Sequence, residues 1–157
     1  MTFLRFLVFL ALGLWLGAIL FFGIAVAPTA FAVLPTHALA GEVVSGCLAK
    51  LHTLAFICGG LLLIVFLLSG TIRGRGVSGV AKIVLVLVML GCTAYGQYGV
   101  GKKMLALRNG MGVIDNVLKT DPRRVEFNRL HKYSEAAEHT VFFCGLGVLL
   151  LASRRVS

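Results

Sequence analysis

The eleven residues RLHKYSEAAEH (129–139) carry His131, Glu135, Glu138 and His139 directly ahead of the apolar run TVFFCGLGVLLLA. On a helix, positions four and seven apart share a face, which puts His131, Glu135 and Glu138 on one stripe with His139 beside it. Imidazole and carboxylate together suit Zn, Cu, Fe or Ni, or a proton relay. His52, at the start of a second apolar run, and Gln97, near the end of a third, come to a similar depth. The expected metal ligands are His131, Glu135, Glu138 and His52; a cofactor such as haem would draw on His131, His52 and His139. A hydrogen-bond network with no ligand explains the same residue types. His131 and His139 are about 12 Å apart along a helix, so at most two histidines can share one ion lying about 2 Å from each nitrogen. Glu135 or Glu138 is then the third ligand.

These groups sit in a chain built for lipid. Of its 157 residues 59% are hydrophobic and only 13% charged, with a mean hydropathy of +0.96, outside the range of soluble domains. A hydrocarbon core needs about 20 apolar residues per helical crossing, so the length accommodates about four spans and one small extramembrane feature. Charges delimit them near 6–27, 53–72, 83–101 and 134–153. Every backbone amide must be paired inside a bilayer, and runs without an alternating polar face exclude a barrel. The expected fold is a single domain, 1–157, an all-α integral membrane four-helix bundle. Pro28 and Pro35 are read as ending the first helix and punctuating a loop, and a short interfacial helix is expected after Thr36. Asp121 as N-cap and Pro122 in the first turn start an extended fourth helix with no breaker before Ala152. Counted back from Arg154, Glu138 and His139 fall several Å inside a core roughly 30 Å thick, where ionisable groups must face the bundle and find partners.

In the first span Gly13 and Gly17 stand four apart, the spacing that lets two helices approach closely, and Trp15 between them is read as a packing residue against that groove. Its indole N–H needs a partner at mid-membrane depth. The first apolar run is about 22 residues, against 7 to 15 in a signal peptide, and is expected to stay attached. Cys58, Cys92 and Cys144 fall mid-span without CxxC spacing and read as apolar filler.

Both termini and the TIRGRGVSGVAK connection share one side. It carries Arg5, Arg73, Arg75, Lys82, Arg154 and Arg155 and no acid, whereas the other holds nine basic residues, all six acids and all four histidines. Plain counting favours the second side as cytoplasmic, but the dense, uncompensated charges touching the membrane ends favour the first. The expectation is a bacterial inner membrane with cytoplasmic termini. The net charge of +9 is a lipid-headgroup signal that needs no nucleic acid. The bilayer is the expected partner, joined by other membrane subunits or a second copy.

The stretches LWLGAILFFGIAVAPTAFAVLPTHALAGEVVSGCLAKLH and KTDPRRVEFNRLHKYSEAAEHTVFFCGLGVLL resemble the transmembrane protein 205 family, whose bacterial members form a domain of unknown function. The resemblance rests on Trp15, Gly17, Pro28, Leu34, Pro35, Phe127, Leu130, His131 and Ser134. It implies a four-helix membrane protein with no established reaction; Glu138 and His139 lie outside the pattern. A looser likeness of fold links the chain to copper-resistance protein D and to the four-helix protoporphyrinogen oxidase, which binds haem. The functional reading is a non-enzymatic membrane protein with a His/Glu-lined polar site near one face that handles a metal or cation. A haem-binding redox protein and a small accessory subunit are the alternatives.

Overall fold

The computed structural model describes residues 2–69, 76–111, 117, 118 and 120–154. Ile72 at the expected end of the second span, the basic residues Arg73 and Arg75, and Arg155 lie outside the described residues. Four helices are long and apolar enough to cross a membrane: α1 (Phe3–Val33), α2 (His37–Leu68), α3 (Ser78–Met111) and α4 (Pro122–Ser153). The described residues contain no strand. Each helix packs on its neighbours in the chain, and α4 closes the ring against α1, giving an up-and-down bundle in which α2 and α4 face each other diagonally. Its middle is filled by Leu12, Trp15, Leu62, Val86, Met89, Val141 and Val148, each nearly or fully buried. Phe3, Phe6, Phe21, Leu68 and Phe143 point outward, as an apolar solvent permits.

Two boundaries differ from expectation. Pro28 does not end the first helix, which continues to Val33. Proline removes one N–H and its ring presses on the carbonyl four residues back. Here the helix widens into a π turn over Phe22–Val26 just ahead of it, so the backbone absorbs Pro28 and resumes α geometry at Ala27–Val33. The break comes instead at Leu34, extended at φ −78° and ψ 141° as the residue before Pro35 must be. The second difference is that no separate interfacial helix forms. Thr36 caps α2, its hydroxyl accepting from the Leu39 N–H at 3.2 Å, and the helix then runs unbroken from His37 to Leu68. Neither Gly41 nor Gly46 breaks it, and Ala40 and Leu51 stay on its buried face.

The fourth helix starts as expected. Asp121 accepts from the Arg123 N–H at 2.8 Å and its second carboxylate oxygen pairs with the Arg123 guanidinium at 3.0 Å. The side-chain hydrogen bond from Arg123, then the backbone one, hold the Asp121 carboxyl below the usual carboxylate range. A depressed folded pKa means the cap is fully in place above the ordinary value of about 3.9 and is lost only as pH falls through the lower folded value. Hydrogen exchange in the first turn of α4 is therefore expected to stay slow down to about pH 4 and to accelerate below it. In Asp121→Ala that turn should exchange fast at neutral pH as well; unchanged protection in the variant would remove Asp121 as the cap.

The expected close approach at Gly13 and Gly17 is corrected. Placing Leu12 and Trp15 inward turns both glycines outward, and a Cβ at either would meet nothing within 4 Å. The tight crossings lie elsewhere. A Cβ at Gly59 would lie 2.5 Å from a Leu90 methyl and 3.1 Å from the Trp15 ring, and one at Gly145 would lie 2.5 Å from a Leu16 methyl and 3.1 Å from Met89. Trp15 is indeed a buried packing residue, set against Gly59, and among the described residues its indole nitrogen has no hydrogen-bond partner.

Candidate functional site

The inner face of α4 runs through Leu130, Val141, Gly145 and Val148. Taking Val141 as its centre at about 100° per residue, Glu138 lies roughly 60° off, Glu135 roughly 120° and His139 roughly 160°. This geometry separates residues that sequence spacing alone groups together. Glu138 turns into the bundle, with its side chain 18% exposed. His131 and Glu135 are exposed and pair with each other at 3.2 Å, about two turns and one turn of helix nearer the loop end than Glu138, and His139 is exposed on the far side. The expected convergence of His131 with His52 therefore does not occur. Among the described residues no three His, Cys, Asp or Glu side chains gather as a metal site would require.

What does gather is His52, Gln97 and Glu138. The ring of His52, 2% exposed, has its Nδ1 2.7 Å from Oε1 of Gln97 and its Nε2 2.6 Å from Oε1 of Glu138. With the amide of Gln97 turned so that its oxygen meets the ring, Nδ1 is the donor of this hydrogen bond. Nε2 and the carboxylate then share one further proton, residing on the imidazole in an ion pair or on the carboxyl in a neutral pair. Either arrangement is neutral overall, the condition under which ionisable groups persist in a bilayer interior.

Three helices deliver these groups to one layer. Counted along each helix from the terminal end, Glu138 is about 24 Å from Arg154, His52 about 26 Å from Ser69 and Gln97 about 22 Å from Lys82. All three fall just within a core about 30 Å thick, towards the loop end. The His52–Glu138 contact crosses the diagonal of the bundle, while α3 supplies Gln97 from the side. The ring packs on α3 at Gly96, where a Cβ would sit in ordinary contact, 3.6 Å from Cε1 of His52. Below the layer the buried side chains are apolar apart from Thr93, whose hydroxyl donates to the Met89 carbonyl oxygen at 2.9 Å, and Lys82, near the terminal end of α3.

A second set of contacts ties the helices together at the loop end. The Arg108 guanidinium donates to the Ser45 hydroxyl at 3.2 Å and lies over the Phe127 ring, 5.8 Å from its centroid, so it joins α2, α3 and α4. It also packs on Gly41, where a Cβ would lie 3.1 Å from a guanidinium nitrogen. Spacing along the chain carries no signal for this contact, because Ser45 and Arg108 are 63 residues apart.

A family model described as a domain of unknown function (DUF4149) matches residues 10–112. The chain belongs to that family. The DUF4149 match covers α1 from Leu10 onward and all of α2 and α3, with His52, Gln97 and Gly96 among its residues, and ends before Glu138. No curated protein and no solved structure matches the chain. The DUF4149 assignment thus agrees with a membrane protein of four apolar helices and attaches no reaction to it.

Proposed function

We propose that this DUF4149 protein works through the buried His52–Glu138 pair as a one-proton centre, reached from the loop end of the bundle and closed by apolar side chains towards the termini. The supporting observation is a single one: a histidine with both ring nitrogens engaged, one by an amide oxygen and one by a carboxylate, at intramembrane depth. Such a pair can take up or release a proton when a ligand, a partner or the surrounding field separates its two halves. Loss of one proton leaves a net negative charge in a low-dielectric layer, and gain of one leaves a net positive charge. Each change favours rearrangement of the diagonal contact between α2 and α4.

Metal or cation handling is the second reading, favoured by an imidazole nitrogen lying beside a carboxylate oxygen. An ion would enter between Nε2 of His52 and Oε1 of Glu138, with the His131–Glu135 pair as a separate station nearer the loop end. Haem has no comparable support, since both His52 nitrogens are engaged and His131 and His139 are exposed on α4. Kinship with the transmembrane protein 205 family is supported by Trp15, Pro28, Pro35 and His131. A bacterial inner membrane with cytoplasmic termini is supported by the acid-free terminal side, and association with other subunits or a second copy by the outward-facing glycines of α1.

Infrared difference spectroscopy of protein in lipid, stepped between about pH 4 and pH 10, tests the proton reading. A carboxyl band lost in Glu138→Gln should change together with an imidazole band lost in His52→Ala. If neither group changes protonation anywhere in that range, the proton reading fails. Elemental analysis of the same samples addresses the cation reading, which requires bound metal that both variants lose.

A further inference from the structure

Below the His52–Glu138 layer the four helices pack around one core, but towards the loop end they part into two pairs: 27–33 lies on α2, and 101–111 lies on α4. Arg108 reaches from one pair to the other. Its guanidinium, carried by α3 over the Phe127 ring of α4, donates to the Ser45 hydroxyl of α2 and packs on Gly41. Ser45 stands about 10 Å above His52 along α2, which sets the guanidinium a few Å beyond the hydrocarbon edge, level with the lipid headgroups. The ion pairs of this end leave Arg108 out. Asp121 pairs with Arg123, Glu126 with Arg129 and Glu135 with His131, while Glu138 is taken by His52. Glu42, next to Gly41 on α2, is exposed, and among the described residues no carboxylate forms an ion pair with Arg108.

A guanidinium has five N–H donors in a planar fork and no acceptor. Here one is spent on a neutral hydroxyl at 3.2 Å, longer than the roughly 2.7–2.9 Å of a charge-assisted bond to an anion. The ring beneath supports the charge without neutralising it. The fork therefore keeps the donors that match two oxygens of a carboxylate or phosphate, and the surplus of nine basic residues over six acids on this side draws anions towards it. We propose that the Arg108 guanidinium is the receptor for an oxyanion, a carboxylate or a phosphate, at the opening between the two helix pairs. A bidentate oxyanion outcompetes the single bond to Ser45, and loss of that bond loosens α2 from the α3–α4 pair directly above His52–Glu138. The receptor goes beyond the proton reading and stands without it, since neither His52 nor Glu138 touches the anion.

The test titrates the full chain in maltoside micelles, which contain no phosphate, with sodium phosphate and separately with sodium acetate at constant ionic strength. The guanidinium 15N resonance of Arg108 is followed by nuclear magnetic resonance, and at least one of the two anions should move it saturably. Arg108→Gln should abolish saturable binding of that anion, measured by calorimetry. Arg108→Lys, which keeps the charge and loses the fork, should weaken it several-fold. Ser45→Ala removes the competing hydroxyl and should leave binding as tight or tighter. Lys132→Gln removes an equal charge from the exposed face of α4 and should leave it unchanged. In phosphatidylglycerol bilayers without added phosphate, a solid-state carbon–phosphorus distance from Arg108 Cζ to lipid phosphorus separates the two sources of oxyanion. A close contact makes the headgroup the ligand; saturable binding of free anion without that contact makes it a soluble one. Absence of both the saturable shift in micelles and the lipid contact in bilayers would overturn the receptor. So would binding that survives Arg108→Gln, or that Lys132→Gln weakens as much as Arg108→Gln does.

Discussion

Glu138→Ala is expected to lower the stability of the bundle by about 3–5 kcal/mol if the shared proton sits on His52, because it leaves an uncompensated imidazolium across the diagonal. If the proton sits on the carboxyl, the pair is a neutral interhelical hydrogen bond, and the loss should be nearer the roughly 0.6–1.7 kcal/mol measured for such bonds within membranes. The double variant His52→Leu with Glu138→Leu should recover most of the loss, since replacing a buried pair by apolar groups is often neutral or stabilising. Reversible unfolding in mixed micelles of the wild type, His52→Leu, Glu138→Leu and the double variant gives the four stabilities of a closed cycle. Additive single effects would mean that His52 and Glu138 do not interact, and the size of a non-additive coupling reports which partner holds the proton.

The second large effect is expected at the glycines that sequence spacing does not single out. Gly59→Val and Gly145→Val each force side chains into sites where even a Cβ lies 2.5 Å from a leucine methyl, so each should destabilise by about 1–3 kcal/mol. Gly13→Val and Gly17→Val face open space, and their effect should stay within about 0.5 kcal/mol, as for surface positions. Equal losses at all four positions would mean that α1 is rotated about its axis relative to the packing described above. Any effect of Gly13→Val on self-association, with stability unchanged, would instead mark the outward face of α1 as a contact between copies.

The architecture was legible because lipid leaves few alternatives. Long apolar runs bounded by charge define four helices, and the Asp121–Pro122 start of α4 follows from local capping chemistry. The two misplaced boundaries share a cause. Pro28 is a breaker only in an unadjusted α-helix, and the π turn ahead of it is set by backbone packing that no periodicity count registers. Likewise nothing between Thr36 and His52 stops a helix, so a separate surface helix required a break the residues do not supply. In the site, depth grouped His52, Gln97 and Glu138 with His131, Glu135 and His139, of which only the first three are in contact, and the i, i+4, i+7 rule placed His131 and Glu135 on the same stripe as Glu138. That rule is accurate to tens of degrees, and at the shoulder of a helix face this is the difference between the interior and the outside.

The most direct measurement is a solid-state nuclear magnetic resonance distance between the imidazole nitrogens of His52 and side-chain carboxyl carbons in a lipid bilayer. A strong Nε2 contact to the Glu138 carboxyl, together with an Nδ1 contact to the Gln97 amide carbon, is the predicted result. Contacts from His131 to Glu135 should appear as a separate pair. Absence of the Glu138 contact, or its replacement by a contact between His52 and the His131–Glu135 region, would contradict a buried diagonal pair and return the polar groups to a site at the membrane surface.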